Sequence, residues 1–146
     1  MITFNEIPSV KNISEEDKLF VFNVCKIIFE LSNKARREGL LALEEELDNL
    51  GDVIPGVCGK ALKEGLSLVV DGNECNAIEF ILGNFFKVTE MMDIEKLCFM
   101  LVCTGIISIQ QGDNPYLVAR YLKSYLGFDV GNKLMDFLEK ENLINY

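Results

Sequence analysis

No histidine occurs anywhere in this chain of 146 residues. That absence excludes Ser-His and Cys-His nucleophilic machinery and removes the commonest zinc ligand. Proline is scarce, with three residues, and nearly half of the chain is hydrophobic, which leaves little material for linkers or disordered tails. Positive charge is also short: 14 Lys and Arg against 23 Asp and Glu give a net charge of −9. A nucleic-acid backbone is therefore a poor general ligand, because such binding rests on Lys and Arg neutralising phosphates. Anionic membrane surfaces are disfavoured in the same way. No two of the five cysteines, Cys25, Cys58, Cys75, Cys98 and Cys103, have the C-x-x-C spacing of a zinc or redox site. Odd in number and set among apolar residues, they read as buried free thiols in a reducing cytosol.

Targeting and spanning signals are missing as well. The opening MITFNEIPSV has no basic region followed by an apolar run, so export is not expected, and the Asn12-Ile13-Ser14 sequon is a chance match. The longest nearly uncharged run, residues 97–111, falls short of the roughly 20 residues that cross a bilayer. A soluble, cytoplasmic chain follows as the expectation.

The motifs that are present carry little chemistry. Gly56-Val57-Cys58-Gly59-Lys60 suggests a phosphate loop, but Ile54 stands where its first glycine is needed and Ala61 follows the lysine. Consecutive acids at 15–17 and 44–46 suit a solvated helix face or a helix N-terminus better than acid–base catalysis. Tyr116, Tyr121 and Tyr125 share one helix face, an arrangement that fits packing on an acidic protein. No catalytic residue, cofactor or metal site is expected, and the chain does not read as an enzyme.

Organisation is clearer. Residues 1–13 have no sustained period and form an irregular lead-in, and 14–146 read as a single helical domain. Ser14-Glu15-Glu16-Asp17 resembles a capping box that starts a long first helix. Its apolar residues recur at three- and four-residue steps as far as Leu47, with Gly39 as an interruption that permits a kink. Further helices are expected over 60–70, 75–86, 94–111, 116–126 and 130–143, with Asp93, Asn114 and Asp129 as caps and Gly127 as a helix end. No stretch alternates with period two, so the fold class is all-α, a compact bundle of about six helices with a long first one. Gly39, Gly65 and Gly105 each precede an aliphatic step, at spacings too unequal for a solenoid. Glycines that let helices approach closely explain this echo.

The most informative stretch is 34–47, KARREGLLALEEEL, where a basic run meets an apolar step and then an acidic run. From Ala35-Arg36-Arg37-Glu38-Gly39-Leu40-Leu41-Ala42-Leu43-Glu44 to Leu62-Lys63-Glu64-Gly65-Leu66-Ser67-Leu68-Val69-Val70-Asp71-Gly72, the chain resembles the loop between the second and third membrane helices of the MotA flagellar stator family. A second stretch, Gly105-Ile106-Ile107-Ser108-Ile109-Gln110-Gln111-Gly112-Asp113-Asn114-Pro115 and on through Leu126, is similar to the segment after the family's last membrane helix. Together they cover roughly half of the chain. Between them the family has two membrane helices, whereas this chain has residues 73–104, interrupted by Glu79, Lys87, Glu90, Asp93, Glu95 and Lys96.

The resemblance therefore implies the family's cytoplasmic part without its ion-conducting helices. It also implies a protein partner, the rotor protein FliG or another motor component, met by Arg36 and Glu44, with the neighbouring Arg37 and Glu45 on the same charged face. Tyr116 departs from the arginine that often follows the proline in the family, which leaves a contact at that position unsupported. A cytosolic scaffold or self-assembling domain unrelated to motility is the alternative reading, since it needs only aliphatic surface and glycine steps.

Overall fold

The most apolar run of the sequence becomes the centre of the structure. In the computed structural model, which describes residues 4–141 and 143–144, every residue from Leu97 to Ile109 is buried. A helix that is apolar all round has no face to give to solvent, so neighbours must cover it on every side. This helix, α5 (Asp93–Gln111), packs against α1 (Glu15–Glu38), α3 (Gly56–Val70), α4 (Cys75–Val88) and α6 (Pro115–Ser124). The last helix, α7 (Gly127–Lys140), lies on α6 and touches α1, and a single turn, α2 (Leu50–Val53), leads into α3. Seven α-helices and one 3-10 segment make the fold all-α, with the long first helix expected and no strand among the described residues. None of these helices is long and apolar enough to cross a membrane.

Local signals account for most boundaries. Ser14 Oγ accepts the Asp17 amide at 3.1 Å and opens α1. Asn114 Oδ1 accepts the Tyr116 amide at 2.8 Å, with Pro115 at the first helical position. At the end of α5, the Asp113 amide reaches back to the Ser108 carbonyl at 3.1 Å while Gly112 takes the left-handed conformation, so the exposed carbonyls are satisfied. Residues 4–13 form no helix, yet Phe4 sits edge-on to Phe86 with ring centroids 5.1 Å apart, which ties the lead-in to the bundle. Its positions 1–3 lie outside the described residues, as do 142 and 145–146 at the far end.

Besides α3 starting at Gly56 rather than 60 and α7 ending at Lys140 rather than 143, the structure corrects the sequence reading in three places. The first helix does not continue to Leu47: Gly39 has φ +90°, which removes it from the helical region, and the chain turns into a 3-10 segment over Leu40–Glu46. Three residues per turn then stack Leu40 and Leu43 on one inward edge and leave Leu41 and Glu44 exposed on another. Gly127 has positive φ but begins α7 rather than closing α6, so Asp129 lies inside the first turn. Asp93 likewise lies inside α5, whose cap is Met92.

The glycine echo divides. Gly39 serves the backbone turn, whereas Gly65 and Gly105 serve close approach. A Cβ on Gly65 would lie 2.9 Å from Ile106 Cγ1, and one on Gly105 would lie 2.6 Å from Ile28 Cγ2.

Candidate partner-binding surface

The C-terminal end of α1 carries Lys34, Arg36 and Arg37, cations placed where the helix dipole is negative. After Gly39 the 3-10 segment returns across α1 and α3, against which it packs. Lys34 closes this turn, donating to Glu46 Oε1 at 2.8 Å and to Glu45 Oε2 at 3.0 Å. The hydrogen bonds to Glu46 and then Glu45 hold the Lys34 ammonium well above the usual lysine range. Basic and acidic runs that looked like two separate blocks are joined inside the chain.

Arg36 is engaged differently. Its Nη1 donates to the Gly112 carbonyl at 3.2 Å, a contact between residues 76 positions apart. This bond joins the ends of α1 and α5, and with them the two stretches singled out in the sequence. A notch of about 190 Å³ lies at the joint, lined by Arg36, Gly39, Leu40, Gln110 and Asp113 among others. Asp113 Oδ2 accepts the Ser108 hydroxyl at 2.7 Å, so that carboxylate is oriented from within α5.

All four residues expected to meet a partner, Arg36, Arg37, Glu44 and Glu45, are exposed on the two arms of this turn. Glu45 is occupied by Lys34, and Arg36 by the α5 terminus. Among the described residues, the side chains of Arg37 and Glu44 have no ion-pair partner. The 3-10 period puts Leu41 and Glu44 on one outward edge, and Leu41 is 73% exposed there. An aliphatic side chain beside an unpaired carboxylate is thus presented on a segment held at its base by Lys34.

A second surface escaped the sequence reading. Between α6 and α7 a groove of about 640 Å³ is lined by Tyr116, Arg120, Lys123, Ser124, Gly127, Phe128 and Met135. Among the described residues its lining holds two cations and no acid, on a chain of net charge −9. Phe128 is 87% exposed at its edge. The available signal was the pair Arg120 and Lys123, three residues apart on one helix and followed by an aromatic in a polar context. The tyrosine face expected on α6 is only partly a packing face: Tyr125 is half-buried and shares a 2.6 Å hydrogen bond with Thr104, whereas Tyr116 is exposed.

The cysteines behave as core. Cys25 is fully buried, and burial pushes its thiol up to about 12. The Cys58 thiol beside Cys98, together with burial, raises Cys98, and burial raises Cys103. Only Cys75, half-buried, is within reach of solvent. Thiolate is the reactive form, so a thiol reagent at neutral pH is expected to modify Cys75 alone in the native protein and all five cysteines in denaturant. Mass spectrometry of the labelled protein reads this out; rapid native labelling of Cys25 or Cys98 would contradict the packing.

No family model matches the chain, and no solved structure matches it. The chain is 36% identical over 75 residues to Motility protein A of Borreliella burgdorferi, a match that covers 51% of this chain and 25% of the relative. The chain therefore spans about a quarter of the length of the relative it matches. The similarity supports a MotA-like relationship.

Proposed function

We propose that this chain is a MotA-like protein-interaction module that contacts a flagellar motor component, with the rotor protein FliG as candidate partner. Contact is made through the charged turn around Arg36, Arg37, Glu44 and Glu45, without ion conduction and without catalysis. The observation that carries this reading is that Arg37 and Glu44, of opposite charge, stand exposed on either side of the Gly39 turn, without ion-pair partners among the described residues. Similarity to Motility protein A supplies the motor context.

Exposed charges of this kind govern orientation, specificity and association rate more than raw affinity. Their reach in solution is about 8 Å at physiological ionic strength, so the contact is salt-sensitive. Purified FliG passed over the immobilised chain should be retained at low salt and released as salt rises. Retention that is indifferent to salt would point to an apolar contact elsewhere, and no retention at low salt would remove FliG as the partner.

A further inference from the structure

We propose that copies of this chain associate head to tail, with the outward edge of the 3-10 segment of one copy seated in the α6–α7 groove of the next. Each half of this contact is already on the molecule. The edge offers Leu41 with Glu44 beside it, and the groove offers Phe128 and Met135 with Arg120 and Lys123 beside them. An apolar side chain meets an apolar floor, and a carboxylate with no ion-pair partner among the described residues meets two cations on a chain that is otherwise strongly acidic.

Both halves are built before they meet. Lys34 fixes the 3-10 segment through Glu45 and Glu46, so the edge is presented without further ordering. On the groove side, Gly131 has no side chain, and Lys123 packs over it: a Cβ there would lie 2.6 Å from Lys123 Cγ. The Lys123 stem is thereby held against α7. The two surfaces differ, so the contact is heterologous and generates a ring or an open filament rather than a two-fold dimer.

Glu44 serves both this contact and the motor contact proposed above, so the two compete. The groove belongs to assembly alone, which lets the two readings fail separately.

Sedimentation velocity of the full chain over a dilution series at low salt is the test. The average mass should rise with concentration. Arg120→Glu with Lys123→Glu should weaken association on the order of tenfold while leaving FliG retention unchanged, and Glu44→Lys should weaken it similarly. Glu44 and Arg120 are exposed and Lys123 is only half-buried, and helical content by circular dichroism should match wild type. The decisive step is to mix the two variants: each has lost its contact with itself, but opposite charges face each other again at both kinds of junction, and association should return. A mass of one copy at every concentration overturns the proposal. So does self-association that persists in both variants, or a mixture that stays as weak as its components.

Discussion

Gly105→Val is expected to destabilise the fold by about 3 kcal/mol, the upper end of what overpacking a core usually costs. The site is the crossing of α1 and α5, where a Cβ would lie 2.6 Å from Ile28 Cγ2 and within 3.2 to 3.3 Å of two further Ile28 atoms. Ile28 is fully buried and cannot move into solvent, so the helices must separate or the isoleucine must leave its rotamer. Better helix propensity than glycine recovers less than about 1 kcal/mol of this. Gly83 on α4 provides the contrast, because a Cβ there meets nothing within 4 Å. Gly83→Ala should therefore stabilise by about 1 kcal/mol through propensity alone. Urea denaturation of the two variants checks both signs, and equal midpoints would mean that α1 and α5 are not in close contact at Gly105.

Glu44→Lys should lower affinity for FliG by roughly tenfold, corresponding to about 1.4 kcal/mol. It replaces attraction with repulsion at a carboxylate that has no ion-pair partner of its own among the described residues. Stability should stay within about 0.5 kcal/mol of wild type, as for other surface changes away from special features. Arg37→Glu is its counterpart on the other arm of the turn. Arg36→Glu is less informative despite the prominence of that residue in the sequence. It breaks the bond to the Gly112 carbonyl and places an anion at the negative end of α5, so it should disturb the fold as well as the contact.

Legibility in the sequence followed the range of the interactions. Ser14, Asn114 and Pro115 act within a few residues of themselves, and the boundaries they signal are where the helices begin. The apolar run of α5 announced its burial through composition alone. Gly39 was visible as an interruption, but the leucines after it fit both a 3.6-residue and a 3-residue period over so short a span. Docking on α1 and α3, held by Lys34, selects the second. Gly127 shows the same limit, since positive φ suits either the end of one helix or the start of the next.

The charged turn was legible as a set of residues but not as a circuit. Which charges would be satisfied depended on the carbonyl of Gly112 arriving beside Arg36, and that is a product of helix packing. The α6–α7 groove was hidden for the same reason. Arg120 and Phe128 lie eight residues apart on successive helices, and only the angle between those helices makes them line one surface.

The most direct test of a charged-turn contact with the motor is calorimetric titration of FliG at low ionic strength into the folded wild-type chain and into Glu44→Lys. Measurable binding by wild type, weakened roughly tenfold in the variant at unchanged helical content, is the result predicted. Equal affinity of the two folded proteins, or no binding by wild type, would contradict it.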